Sequence, residues 1–369
     1  MLERAENFFL QFVRRERENI RSYFLIFALT PLSWIYGIYV ALRNSAYDLG
    51  LLQSRPTPGH TVISIGNLVI GGAGKTPVTM MLTSELITRF PLAILSRGYR
   101  SHAEDLNTPL VLSDGKGPQY PPNLAGDEPF LLAENFPTAF VIVGKNRRRA
   151  VKVAMEKGAQ VILLDDGMQH RQLARDLEIV VMDANDSPEK SKLLPLGFFR
   201  EGLSSLKRAD LIILNHLTSP EHYASASKFI AKYTNAPVVG TQANITTVLG
   251  EDNLPIDIKN KKVGIFCGIA NPKNFEQTLR LHGVEIVAEI YLKDHGHIDE
   301  HSLKLFAEKC KSLGAEYIVC TEKDKVKLSV PLQSAIPLAW IKIRLEIKEG
   351  AIHWNEFIKK TITLVNRNK

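Results

Sequence analysis

Residues 71–76 read Gly-Gly-Ala-Gly-Lys-Thr, directly after the β-rich run TVISIGNLVI and before PVTMMLTSELITRF, whose Val78, Met81, Leu82 and Leu86 fall at helical spacing. A glycine loop between a strand and a helix commits a chain to α/β architecture, because only there do loop amides and a helix N-terminus converge on one anion. Glycines admit the close approach, Lys75 supplies a point charge, and Thr76 offers a hydroxyl to Mg²⁺. These properties make Gly71, Gly72, Ala73, Gly74, Lys75 and Thr76 the expected contacts for a nucleoside triphosphate. The generic GxxxxGK[ST] pattern would put its first glycine at position 69, where this chain has Val69. An ordinary strand-to-helix turn with a surface lysine is the plainer alternative.

The alternation continues downstream. PLAILS (91–96) reads as a strand ending at Arg97-Gly98-Tyr99-Arg100, and a stretch rich in Gly, Pro and Asp then runs as a loop to GDEP (126–129). DEPFLLAENF opens a helix, since Asp127 and Glu128 suit its exposed N–H groups and Pro129 tolerates a first-turn position. TAFVIVG, AQVILLDDG, LEIVVMDA and ADLIILNH read as strands, and NRRRAVKVAMEKG as a basic helix. After His216, a helix and the polar stretch ITTVLGEDNLPIDIKNKK lead to the strand KVGIFCGIA and a second α/β series ending at AEYIVCTEKD. The expected fold is α/β and P-loop NTPase-like. It has a mostly parallel sheet flanked by helices, a smaller second α/β domain and an N-terminal membrane-contact helix. The expected division is 1–45, 46–225 and 226–369.

Ligands of such sheets gather beyond the carboxyl ends of the strands, which is where the polar motifs fall. Asp165-Asp166-Gly167 follows a four-residue aliphatic run, an arrangement that can set a carboxylate near Mg²⁺ opposite Thr76, or can serve as a turn or helix cap. His170 fits loop fixing as well as proton transfer. In LLPLGFFREGLSSLKRAD, Arg200 suits the neutralisation of phosphoryl oxygens and Glu201 the support of a metal, with a surface ion pair as the alternative. KDHGH (293–297) carries His295 and His297 but no defined third or fourth zinc ligand, so acid–base work or base orientation fits equally.

Between Arg21 and Arg43 lie 21 residues without a formal charge, SYFLIFALTPLSWIYGIYVAL. That length can cross a bilayer, but Thr30, Pro31, Ser33 and Gly37 interrupt it and its aromatic rings suit an interfacial depth. Three readings stand: a monotopic membrane-contact helix, a single span, or two docking helices broken near Thr30-Pro31. The preceding MLERAENFFLQFVRRERENIR, with early acids and an RRERE cluster, lacks a signal-peptide pattern. Forty-six Lys and Arg against 39 Asp and Glu give +7, a surplus that suits an anionic partner without choosing one. The basic residues are dispersed with no reading element for nucleic acid. Cys267, Cys310 and Cys320 form no CxxC pair, which supports neither a disulfide framework nor a cysteine zinc site.

Taken in order, TPLSWIYG, IGNLVIGGAGKTP, SRGYR, GDEP, DDGMQHRQLARD, LPLGFFRE, LKRAD, GIANPKNF, DHGH and TEKD resemble the tetraacyldisaccharide 4'-kinase family of lipid A biosynthesis. The resemblance runs roughly from Leu25 to Val330. It implies ATP- and Mg²⁺-dependent phosphorylation of the 4'-hydroxyl of tetraacyldisaccharide 1-phosphate, giving lipid IVA, by an enzyme peripheral or monotopic at the cytoplasmic face of the Gram-negative inner membrane. Its implied partners are the acylated disaccharide phosphate and the membrane surface, with no nucleic acid and no obligate protein. The family pattern makes Lys75 and Thr76 the phosphate and metal loop, Asp165 and Asp166 the acids near Mg²⁺ and substrate, and Arg200-Glu201 the phosphate and metal pair. It matches Asp127 to the catalytic aspartate and His295 to its histidine partner, with His297 ranked lower. Thr321, Lys323 and Asp324 of TEKD are expected at the nucleotide base or a hinge, or as a helix start. RGYR departs from the family's RGYG-like motif at Arg100, whereas the absence of glycine at 69 does not depart from it. A soluble P-loop kinase for a small sugar or coenzyme precursor and a nucleotide-gated membrane switch are the alternative functions.

Overall fold

The computed structural model describes residues 20–99, 101–186, 192–293, 296–328 and 334–368, so Arg100 and His295 lie outside the described residues. After helix α1 (Ile20–Asp48), strand β1 (Thr61–Gly66) runs into the glycine loop and α2 (Lys75–Leu86) leaves it. The first half continues with β2 (Leu92–Ser96), β3 (Leu110–Asp114), α3 (Asp127–Asn135), β4 (Phe140–Val143), α4 (Arg147–Glu156), β5 (Val161–Asp165), β6 (Leu177–Asp183) and β7 (Leu211–Asn215). Then follow α5 (Pro220–Ile230), β8 (Val238–Gly250), β9 (Lys262–Cys267), α6 (Pro272–Leu281), β10 (Glu285–Tyr291) and α7 (Glu300–Ser312). The chain closes with β11 (Tyr317–Thr321), β12 (Leu338–Glu349) and α8 (Ala351–Asn368).

The twelve strands among the described residues join one sheet in the order β10-β9-β11-β12-β8-β7-β6-β1-β5-β2-β4-β3. Pairing is parallel except at β3–β4 and at β12–β8. Strands β1, β5, β6 and β7 are buried along their whole length because helices cover both faces. Alternate side chains go to opposite faces: Ile63 and Leu163 meet Leu82 of α2 and Phe357 of α8, while Val62 and Ile162 meet Ala150 and Val151 of α4. The register sets Ile65 beside Asp165 and Asp183 beside Asn215, so the carboxyl ends of β1, β5, β6 and β7 share one edge with the glycine loop.

The structure departs from the sequence reading in several places. The stretch between Arg100 and GDEP contains the edge strand β3, and the polar stretch beginning at Ile245 opens with the second half of the 13-residue β8, which ends at Gly250. The sheet passes from β7 to β8 without a break, and α8 packs into the core of the first half through Trp354, Phe357 and Val365. Helix α1 is one continuous 29-residue helix that includes Pro31, about 44 Å long at 1.5 Å per residue. Ser33 and Val40 face the protein, whereas Phe27 is 80% and Trp34 69% exposed, alongside Ile35, Ile38, Tyr39 and Leu42. Its segment Ile26–Asp48 is long and apolar enough to cross a membrane.

Candidate active site

The glycine loop is held from behind. Asn215, at the end of β7, donates its Nδ2 to the carbonyls of Ala73 (2.8 Å) and Gly74 (3.3 Å) and accepts from Thr241 Oγ1 at 2.5 Å. Gly74 has φ +81°, and a Cβ there would lie 2.3 Å from Asn215 Nδ2, so both the left-handed turn and the buttress require glycine. Lys75 and Thr76 occupy the first two positions of α2, where the helix dipole favours an anion. Gly72 is packed against Ala270 of the GIANP segment; a Cβ on it would lie 2.8 Å from the alanine methyl.

Lys75, Asp166 and Arg200 meet at one point. Lys75 Nζ donates to Asn67 Oδ1 at 3.1 Å and lies 3.5 Å from Asp166 Oδ1. Arg200 grips Asp166 with both Nη atoms, at 3.0 and 2.8 Å, and also donates to the side chain and carbonyl of Asn67. The position of Arg200 follows from backbone pairing: Ile70 N bonds Phe198 O and Arg200 N bonds Leu68 O, with Val69 bridged to Phe199. Position 69 is thus a ladder residue, which accounts for a valine where the generic loop has glycine.

The two neighbouring acids differ in basicity. Burial, then the charges of Glu128 and Asp166, push Asp165 up to about 7 against the opposing pull of Lys75 and Arg147. Burial also pushes Asp166 upward, but Lys75, the Arg200 hydrogen bonds and the Arg147 charge outweigh it and hold this carboxylate below the usual range. Asp165 accepts from Thr79 Oγ1 at 3.3 Å, and its carbonyl is bound by buried Arg147. Thr76 and Asp165 supply the hard oxygen donors Mg²⁺ takes, and a buried carboxylate raised in this way is a group that a cation would ionise. The residues therefore fit that ion, with Asp166 alongside and already engaged by two cations. His170 is pushed down to about 4 by burial and by Arg147, Arg175, Arg43 and Arg148, so it is neutral at pH 7, and its backbone N–H closes the turn onto Gly167 O.

Asp127 opens α3 directly after Gly126. The preceding turn is packed against it: Gly98 has φ +70°, and a Cβ there would meet Val143 Cγ1 at 2.4 Å and Ser101 Oγ at 2.7 Å. Helix α3 packs into the same core as α2 and β5, Leu132 and Ala133 lying with Val78, Leu82 and Leu163, and the charge of Glu128 contributes to the raised Asp165. Across from α3 runs the TEKD segment. Thr321 Oγ1 caps its one-turn helix by accepting from Asp324 N and donates to Asp324 Oδ2 at 2.6 Å, while Lys323 pairs with Glu128 at 2.9 Å. Thr321 and Asp324 thus cap the TEKD turn, and Lys323 joins it to α3.

Glu201, the residue after Arg200, bonds to helix α1. It is 1% exposed and accepts from Asn44 of α1 (2.9 Å), Ser205 (2.8 Å) and Arg208 (2.7 Å). Burial raises this acid, and Arg208 with its hydrogen-bonding neighbours more than offsets that. All three bonds go to Oε2, while Oε1 is buried without a hydrogen-bond partner among the described residues, so the carboxylate keeps one oxygen for a further ligand. Tyr36 Oη adds a bond to the Arg200 carbonyl at 3.0 Å, and Arg43 one to the Gln169 carbonyl at 2.6 Å. The apolar helix is therefore bolted to the segment that carries Arg200. His295 is outside the described residues, although the next residue, Gly296, accepts from Lys327 at 3.3 Å, and His297 is exposed. Asn67, Asn215 and Lys327 were not singled out by sequence; Asn67 stood inside the quoted IGN run, and Asn215 at a strand end.

Comparison with known proteins agrees over nearly the whole chain. Residues 25–363 match the family model described as Tetraacyldisaccharide-1-P 4'-kinase. A Tetraacyldisaccharide 4'-kinase of Halothermothrix orenii is 31% identical over 349 residues, covering 89% of this chain and 90% of that one. Another, from Anaeromyxobacter dehalogenans, is 37% identical over 321 residues, covering 84% of each. Among solved structures, "apo" form LpxK from Aquifex aeolicus in complex with ATP superposes with a TM-score of 0.69 at 27% identity, over 92% of this chain and 99% of that one.

Proposed function

We propose that this chain, which belongs to the tetraacyldisaccharide-1-P 4'-kinase family, transfers the γ-phosphoryl group of ATP to the 4'-hydroxyl of tetraacyldisaccharide 1-phosphate, giving lipid IVA and ADP. The observation that supports this most is the meeting of Lys75, Asp166 and Arg200 at the glycine loop, on a segment fastened to an exposed apolar helix. Loop amides and Lys75, which retains a third N–H, bind the phosphate chain, and Arg200 neutralises the transferring group. Asp127 orients the sugar hydroxyl and takes its proton as the new O–P bond forms and the bond to the β-phosphate oxygen breaks. Thr76 and Asp165 would hold Mg²⁺, which supplies charge neutralisation on the phosphates. The helix α1 rests its apolar face on the cytoplasmic surface of the inner membrane, from which the acylated sugar enters. The TEKD contact with α3 ties the 226–369 segment to the catalytic edge, so that closure over ATP excludes water.

The deciding assay gives purified protein detergent-dispersed tetraacyldisaccharide 1-phosphate, Mg²⁺ and γ-labelled ATP, and identifies the lipid by mass. Label at the 4' position, dependent on lipid and Mg²⁺, is the expected result. Hydrolysis without labelled lipid would favour a nucleotide-gated switch, and transfer to a water-soluble sugar instead would favour a small-substrate kinase.

Asn215→Ala removes both side-chain bonds to the glycine loop and leaves Thr241 Oγ1 without its acceptor. Two bonds of this kind correspond to about a tenfold rise in the KM for ATP, with kcat within about threefold of wild type. Steady-state kinetics at saturating lipid check it, and an unchanged KM would remove Asn215 from the nucleotide site.

A further inference from the structure

Helix α3 and the segment 322–327 are joined by a row of opposite charges. Lys323 pairs with Glu128 at 2.9 Å, Lys325 with Glu134 at 3.5 Å, and Glu322 accepts from Asn135 at 3.1 Å. The row ends in the interior at Lys327, whose side chain is 3% exposed. Its Nζ lies 3.2 Å from Asp324 Oδ1, 3.3 Å from the Gly296 carbonyl and 3.6 Å from Asp127 Oδ2. Asp324 is itself buried, and it also accepts from Gly268 N at 3.0 Å and from Thr321 Oγ1 at 2.6 Å. Neutral donors thus satisfy much of Asp324, and the lysine is held from one side by a fixed carboxylate and carbonyl while it faces Asp127 on the other.

We propose that Lys327 is a positioning residue for Asp127, a buried cation that fixes the carboxylate at the head of α3 and keeps it ionised. The proposal rests on the reading of Asp127 as the group that takes the hydroxyl proton. A carboxylate drawn out of water takes up a proton unless a cation stays near it, and a protonated Asp127 cannot take the hydroxyl proton. A nearby cation also lowers basicity, so the arrangement favours orientation over strength as a base: the proton moves only once the phosphoryl group is in flight. Asp324 and Gly296 keep the ammonium from swinging toward the phosphates, where Lys75 and Arg200 already stand. Because Lys327 is carried by the 322–327 segment, the contact also makes the state of Asp127 depend on that segment being docked on α3.

The test is a cycle of Lys327→Met and Asp127→Asn, singly and together, with ADP release and lipid product both measured. Lys327→Met is expected to lower kcat about 10²-fold, the cost of a misplaced catalytic group, with the KM for ATP within about threefold. Lys327→Arg should recover about tenfold of that loss, since it restores the charge with altered reach. In the Asp127→Asn background the lysine substitution should remove less than about a further threefold, because its target is gone. Equal losses in both backgrounds would make Lys327 a structural ion and overturn the proposal, as would an arginine variant no better than methionine. If Asp127→Asn turns over like wild type, the reading of Asp127 fails first, and any loss in Lys327→Met then belongs to the fold. Melting and ATP binding establish that each variant is folded. Should the methionine variant not fold, Lys327→Gln and Lys327→Arg complete the same cycle.

Discussion

Asp165→Asn is expected to make the ligand-free protein more stable at neutral pH while cutting its Mg²⁺-supported turnover by about 10³-fold or more. The two effects share one cause. Asp165 is buried at the end of β5, and that burial, reinforced by Glu128 and Asp166, carries its ionisation from the ordinary 3.8 up to about 7. Between those values the folded chain holds a proton that the unfolded chain has released. Stability therefore falls as pH rises through this window, and the whole cost is present above it. Asparagine has no charge to bury and can still accept from Thr79, so the variant escapes that cost. It also loses the anion that would meet the metal. Melting curves of both proteins in chelator, from pH 4 to pH 8, should diverge through the window and run parallel above it. A variant that melts at or below wild type at pH 8 would show that Asp165 is already paid for in the folded protein, and the stability argument would fail.

Which parts of this molecule were legible in the sequence follows from how local their causes are. The run from β1 through the glycine loop to α2 is specified by adjacent residues: a β-rich strand buried along its length, glycines where amides must face an anion, and a helix-period stripe. Buried strands such as VILLD and LIILN announce themselves because both their faces meet helices. β8 did not. Its residues Thr241–Thr247 alternate incompletely between covered and open positions, and its partner β12 lies about a hundred residues on, so neither strand carries a strong signal alone. The same distance hid the site's supports. Lys327 reaches Asp127, and Asn215 reaches the glycine loop, through contacts that only the sheet order creates. Arg200 and Glu201 teach a further point: adjacent in the chain, they read as one functional pair. In the structure the two sit on one bend, where the Arg200 guanidinium bonds Asp166 and the Glu201 carboxylate bonds Asn44 of α1, a link between the glycine loop and the helix that adjacency alone does not announce.

Arg200→Lys is the second large effect, and it separates charge from shape. Lysine keeps the positive charge but cannot reproduce the fork that grips both oxygens of Asp166 while also reaching Asn67. If Arg200 serves only to neutralise, the substitution should be mild. The structure argues otherwise, because Asp166 sits in a left-handed turn with φ 56° and its carboxylate is aligned by that fork. Losing the alignment leaves Asp166 with Lys75 at 3.5 Å and Asn67 with Lys75 and Gln169, and returns the task of ordering the phosphates to the solvent. The expected loss in kcat is about 10²- to 10³-fold, comparable to removal of one preorganised donor, with the KM for ATP changed by less than about fivefold. The link to α1 runs through the Arg200 carbonyl and the Glu201 carboxylate, neither of which the substitution alters. Helix docking is therefore preserved, and the deficit reports on the guanidinium itself. Turnover within threefold of wild type would mean that a point charge suffices at this position, and that the fork on Asp166 holds the loop together without shaping the transfer.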